Sequence, residues 1–160
     1  DVQGIGSGTD PFVSTHGGAW LIPERERLNL PNIKILVVNS GESSVTAEMV
    51  ARVVKLKEEL QEVVEKIFDV IDAVAIKSLS TERFSRLFSV NQCMLKAIGV
   101  STKRIDEIIQ QLEELGVAAK ITGAGGGGSI IGIGGDEALR QAKDIFGGIT
   151  VEPEGEGVRI

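Results

Sequence analysis

The 160-residue chain has little cysteine, no excess of basic charge and no long hydrophobic run, and each shortage removes a class of protein. One cysteine, Cys93, excludes an internal disulfide framework and suits a reducing compartment. Its place within a helical pattern predicts a small core residue, and the single histidine, His16, is too distant in sequence to suggest a nucleophile–base pair. With 17 basic against 23 acidic residues the net charge is -6, so no basic patch is offered to nucleic acid or to an anionic membrane surface. A small phosphorylated ligand needs only local positive potential and stays compatible with that balance. No signal peptide is expected from these residues, and the apolar run Ile130 to Ile133 is far too short to span a bilayer. The expectation is a soluble, cytoplasmic protein without internal repeats. Its length and 42% hydrophobic content suit one core of ordinary size.

Glycine, by contrast, is abundant and concentrated. Lys120-Ile121-Thr122-Gly123-Ala124-Gly125-Gly126-Gly127-Gly128-Ser129 places five glycines in six residues between two apolar segments. Glycine supplies positive φ and permits close backbone approach at an entropic cost, so such density needs a reason. Successive N–H groups in a turn of this kind converge into a concave anion site, phosphate above all. A flexible linker would carry Ser and few hydrophobes, whereas here Val117 to Ile121 leads in and Ile130 to Ile133 leads out. The pattern predicts an ordered loop between two strands.

Along the rest of the chain, residues 1 to 18 are Gly-rich with little periodicity and read as loop. Ala19 to Ile22 reads as a short strand and Pro23 to Arg27 as a charged turn. The β-branched run Ile33 to Asn39 predicts a strand buried on both faces. Ser43 or Ser44 is the expected N-cap of a helix running from Thr46 to about Leu79, with a break near Leu56 to Glu59. Thr81 with Glu82 begins another helix whose apolar stripe includes Asn91. A buried amide there caps backbone or faces a polar cleft, since an unsatisfied one costs about 1–3 kcal/mol. Gly99 ends that helix and Ser101 caps the next, lined by Ile105, Ile108, Ile109, Leu112 and Leu115 and stopped by Gly116. A last helix covers Glu137 to Phe146. Ile149 to Val151 and Val158 to Ile160 read as closing strands. This order predicts an α+β fold: a ferredoxin-like split βαβ antiparallel sheet with extra helices in the first crossover.

Lys120 to Ser129 resembles the third conserved motif of the GHMP kinases, with Ser129 where Cys is common. Ser7-Gly8-Thr9-Asp10-Pro11-Phe12-Val13-Ser14-Thr15-His16-Gly17-Gly18 is similar to the S-G-x-D-x-x-x-S-T-x-G-G pattern of the mevalonate kinase branch. Thr46 to Val50 resembles the family's Thr-x-x-(Leu/Met)-Val helix start, and Asn91 to Ser101 its N-x-x-L-L-x-x-L-G-V-S helix end. The family's early catalytic Lys, its P-x-x-x-G-L-G-S-S loop and its magnesium-binding Glu do not occur here. The resemblance therefore implies the C-terminal half of a two-part kinase. A fragment, one product of a split gene, or one piece of a longer chain all fit.

The resemblance implies transfer of the ATP γ-phosphate to the 5-hydroxyl of mevalonate in isoprenoid synthesis, with ATP and Mg²⁺ as cofactors. Metal ligands are expected in no part of this chain. Residues 1–18 would end the nucleotide-binding half, and 19–160 would form the GHMP kinase C-terminal domain. Asp10 is the implied catalytic residue, as base or electrostatic orienter, although Gly8-Thr9-Asp10-Pro11 is turn chemistry by itself. Ser14 and Thr15 would bind substrate or satisfy local backbone, and His16 holds a variable position that suits packing. Thr46 would lie near the γ-phosphate at a helix N-terminus or act as an N-cap. Gly123, Ala124, Gly125, Gly126 and Gly127 would shape the phosphate end of the cleft. Lys120 would neutralise phosphate charge or sit in solvent. Expected partners are the N-terminal kinase half and mevalonate, with no nucleic acid and no membrane, and a homodimer of the complete enzyme is left open. Other readings are a kinase for phosphomevalonate or a sugar, and a non-catalytic ferredoxin-like binding module.

Overall fold

The computed structural model describes residues 8–22, 24–29, 32–78 and 84–158. The chain divides into two compact units, Asp1–Lys34 with Val151–Ile160, and Ile35–Thr150.

In the first unit, part of the stretch read as loop is a helix, α1 (Thr9–His16). Local bonds account for it. Pro11 falls in the first turn, where its missing N–H removes no helical bond. Thr15 Oγ1 donates to the Pro11 carbonyl at 2.8 Å, and the Phe12 and His16 rings, one turn apart, stack with centroids 4.3 Å apart. Trp20, on strand β1 (Ala19–Leu21), meets Phe12 edge-on at 5.1 Å. The end of the expected charged turn belongs to a further strand, β2 (Glu26–Leu28), antiparallel to β1 with Arg27 opposite Trp20. Its charged residues hid it, because the pairing is helped by the Arg27 guanidinium lying 5.7 Å from the centre of the Trp20 ring. Val158 has no regular structure, though its N–H donates to the Ser14 carbonyl at 3.0 Å. Ser7, Pro23, Thr81, Glu82, Arg159 and Ile160 lie outside the described residues.

The second unit is built on a four-stranded sheet of β3 (Ile35–Asn39), β4 (Ala118–Ile121), β5 (Ser129–Ile133) and β6 (Ile149–Val151), in the order β4-β5-β3-β6. Both β3 and β4 run antiparallel to β5, with Leu36 opposite Gly132 and Ile121 opposite Ile130. Helices α2 (Thr46–Glu59), α3 (Gln61–Ser78), α4 (Phe84–Ala97) and α5 (Lys103–Glu114) form the long crossover, and α6 (Asp136–Phe146) links β5 to β6. This is the expected α+β plan. Strand β3 is not buried on both faces: Leu36 and Val38 point into the core while Ile35 and Val37 are only half-buried. The long helix breaks at Leu60, one residue beyond the expected window. The core joins Leu36 and Val38 to Ile121, Ile130 and Leu139, and to Ile105, Ile108, Ile109 and Leu112 of α5. Those four recur at helical spacing, and burying each such side chain contributes about 1.5–3 kcal/mol.

Two caps differ from expectation. Val45, not Ser43 or Ser44, occupies the N-cap of α2 and gives no side-chain hydrogen bond. The N-cap of α5 is Thr102 rather than Ser101, with Thr102 Oγ1 accepting from the Ile105 N–H at 3.2 Å. In both cases the displaced serine hydroxyl has a tertiary partner: Ser44 donates to the Gly125 carbonyl, and Ser101 to Asp106 Oδ1 at 2.7 Å.

Candidate active site

The glycine loop between β4 and β5 closes at its base, where the Thr122 N–H donates to the Ser129 carbonyl at 3.2 Å. Gly125, Gly126 and Gly127 have φ of 80°, 72° and 144°, a region that favours glycine. Packing demands glycine as well. An added Cβ would lie 2.3 Å from the Val100 carbonyl oxygen at Gly125, 2.4 Å from Met49 Sδ at Gly126, and 2.7 Å from the Glu42 carbonyl oxygen at Gly127. The Gly126 N–H donates to the Val100 carbonyl and the Gly128 N–H to the Glu42 carbonyl, each at 2.8 Å. The loop is therefore seated on three supports: residues 41–45, the first turns of α2, and the turn after α4. A linker would make none of these bonds.

Thr46 is the exposed first residue of α2. It follows the capping Val45, so the N-cap alternative for Thr46 does not hold. The nearby contacts of Ser44 with Gly125 and of Met49 with Gly126 bring the start of α2 and the glycine loop to one place. Orphan N–H groups and the helix dipole make that end of α2 receptive to an anion.

Asp10, Ser14 and Thr15 are exposed on α1, in the first unit, with Asp10 in the first helical turn. The Thr15 hydroxyl serves the backbone, and His16 packs on Phe12 with its Nδ1 2.8 Å from the Phe12 carbonyl oxygen.

Lys120 is not a solvated strand residue. It is half-buried, its Nζ donates to the Ile121 carbonyl at 2.8 Å and lies 6.0 Å from the centre of the Phe88 ring, and burial pushes its amine below the usual lysine range. Cys93, expected in the core, is exposed. Among the described residues no three His, Cys, Asp or Glu side chains converge as a metal site.

The buried amide of α4 is Gln92, 7% exposed, and Asn91 beside it is only half-buried. Gln92 Oε1 accepts from the Ile121 N–H at 2.9 Å, and its Nε2 donates to Ser101 Oγ at 3.3 Å. Sequence reasoning missed it by one residue. Phe88, Gln92 and Leu95 have the same spacing of four and three as the apolar stripe, and that was the available signal. Glu42 was also missed: Oε2 accepts from the Thr102 hydroxyl, tying the support loop to the start of α5.

Known proteins share this architecture and sequence. Residues 72–147 match the family model for the GHMP kinases C terminal. The chain is 52% identical to a mevalonate kinase of Archaeoglobus fulgidus over 163 residues, covering 100% of this chain and 55% of that protein. A Pyrococcus furiosus mevalonate kinase is 37% identical, with 99% of this chain and 53% of the relative covered. The chain thus spans about half the length of the relatives it matches. Among solved structures, the Methanococcus jannaschii mevalonate kinase superimposes with a TM-score of 0.63 at 27% identity, over 80% of this chain and 41% of that one. L. major mevalonate kinase in complex with R-mevalonate gives a TM-score of 0.66 at 22% identity, over 79% and 44%.

Proposed function

We propose, from the match of residues 72–147 to the model for the GHMP kinases C terminal and from the identity to a mevalonate kinase, that this chain is the C-terminal half of a mevalonate kinase, moving the γ-phosphate of ATP to the 5-hydroxyl of mevalonate in isoprenoid synthesis. The observation that carries the reading is the 52% identity to a mevalonate kinase along the whole chain, a span that takes in both the Asp10 segment and the glycine loop.

Phosphoryl transfer is driven by alignment and charge neutralisation. Asp10 is assigned to the acceptor hydroxyl, to orient it or take its proton, with Ser14 as a polar contact to substrate and Thr15, whose hydroxyl hydrogen goes to the Pro11 carbonyl, as an acceptor to it. The loop of Gly123, Ala124, Gly125, Gly126 and Gly127 and the end of α2 at Thr46 would meet the ATP phosphates. Within that loop Gly126 gives its N–H to Val100 and Gly128 gives its N–H to Glu42, so their part is to anchor the loop against which phosphate would bind. Mg²⁺ would neutralise phosphate charge when bound. Its ligands, a catalytic Lys and the main phosphate loop are assigned to an N-terminal half, with the handover between halves near residue 18. Exposed apolar side chains on α2 and α3, Val50, Val54, Val63 and Ile76 among them, favour a half that docks a partner over a self-sufficient binding module. A cytoplasmic site of action goes with this assignment, and no described helix is long and apolar enough to cross a membrane.

The test is co-expression with the N-terminal half of the Archaeoglobus relative, followed by ATP-dependent phosphorylation assays on mevalonate, phosphomevalonate and galactose. Turnover of mevalonate by the complex is expected. Turnover of either other alcohol with none of mevalonate would overturn the substrate assignment, and no turnover of any would overturn the kinase reading.

A further inference from the structure

We infer that Gln92 is a positioning residue for the glycine loop: it holds the end of β4 and the turn after α4 in the one relation that presents the loop to phosphate. The inference rests on the kinase reading above.

Gln92 and Ser40 are the buried polar side chains among the described residues. Strand β4 lies at the edge of its sheet, so an N–H turned away from β5 has no strand to receive it. At Ile121, the last residue of β4, that N–H is taken up by Gln92 Oε1 at 2.9 Å. The loop begins at the next residue. The same amide donates through Nε2 to Ser101 at 3.3 Å, and Ser101 in turn donates to Asp106 Oδ1, whose other oxygen pairs with Lys96 at 2.6 Å. Val100, adjacent to Ser101, provides the carbonyl that receives the Gly126 N–H. One side chain thus grips the root of the loop and the turn from which its middle hangs. An apolar residue of equal size would fill the volume yet leave the Ile121 N–H buried without an acceptor, and that group would move to find one.

The experiment uses the reconstituted two-half kinase carrying Gln92→Met, Gln92→Glu or Ser101→Ala. Met keeps the size and loses both bonds, Glu keeps the acceptor for Ile121, and Ala removes only the far partner. Hydrogen exchange at Ile121 and residues 122–128 is read alongside kcat and the KM values for ATP and mevalonate. Gln92→Met is expected to speed exchange at Ile121 by about tenfold or more and raise the KM for ATP by a similar factor, as loss of a buried hydrogen bond implies. The KM for mevalonate should stay within about twofold, the scatter of ordinary context effects. Gln92→Glu keeps the acceptor for Ile121 but turns an oxygen toward Ser101, whose hydrogen is given to Asp106. It should therefore restore protection at Ile121 more than the KM for ATP, and Ser101→Ala should fall between Gln92→Met and wild type.

An unchanged KM for ATP in Gln92→Met, or an equal rise in both KM values, would overturn the inference. If Gln92→Met does not fold, Ser101→Ala decides: a rise in the KM for ATP alone supports the role, and no change overturns it. A wild-type complex that binds no ATP overturns the proposed function and this inference with it. A working wild type with an indistinguishable Gln92→Met variant overturns the inference alone.

Discussion

An alanine at Gly125 would place its Cβ 2.3 Å from the Val100 carbonyl oxygen, whereas at Gly123 the same Cβ meets nothing within 4 Å, although both residues have φ of 80°. The two substitutions therefore separate backbone strain from steric conflict. Gly123→Ala should cost about 1–2 kcal/mol, the left-handed term alone. Gly125→Ala should cost more, because a backbone atom must move. Urea midpoints of the two variants check the order, and the reverse order would remove packing as the reason for the glycine. At Asp10, replacement by Asn should lower kcat of the reconstituted enzyme by about 10²–10⁴-fold while leaving thermal unfolding unchanged. Steady-state rates that match wild type would return Asp10 to its turn-chemistry reading. Lys120 carries a pH signature. Burial lowers its folded-state pKa, so between that value and the unfolded value the unfolded chain binds more protons and stability rises with pH. Below the folded pKa the unfavourable term is fully present, and it fades as pH climbs toward the ordinary lysine value. Lys120→Met should abolish this alkaline gain, as measured by denaturation midpoints across that range.

Among the elements, α5 depends on a cap that also serves the loop support. Thr102 Oγ1 accepts from the Ile105 N–H and donates to Glu42, and the Glu42 carbonyl in turn receives the Gly128 N–H. Thr102→Ala should cost about 1 kcal/mol or more, and Thr102→Ser should restore most of it, as read from urea midpoints. Equal midpoints for both variants would mean the hydroxyl contributes nothing. The periodic elements were legible in sequence: the four inward isoleucine and leucine positions of α5, the break between α2 and α3, and the strands flanking the glycine loop. The short elements were not. In α1 no residue is fully buried, so it leaves no apolar stripe to read, and β2 is held by charged side chains that mimic a turn. The exposed Cys93 shows the limit of periodicity, since its helix is regular but one helical step separates it from the buried Gln92.

For the molecule as a whole, the prediction concerns partnership. If the N-terminal half covers the exposed apolar side chains of α2 and α3, the complex should have a higher Tm than this chain by itself, and the gain should grow with partner concentration. A Tm indifferent to the partner would leave those side chains as ordinary surface. The amino-acid sequence by itself determined the α+β class, the order of the long elements, the kinase-like motifs and the place of the glycine loop, because periodic burial and local backbone geometry are written residue by residue. Only the tertiary structure decided what occupies the loop's surroundings: Val45 at the N-cap because Ser44 is engaged by Gly125, Gln92 rather than Asn91 as the buried amide, and glycine density set by Val100, Met49 and Glu42. Those choices depend on which atoms meet across distant segments, and a hydrogen bond between residues 29 positions apart leaves no periodic trace in the chain that makes it.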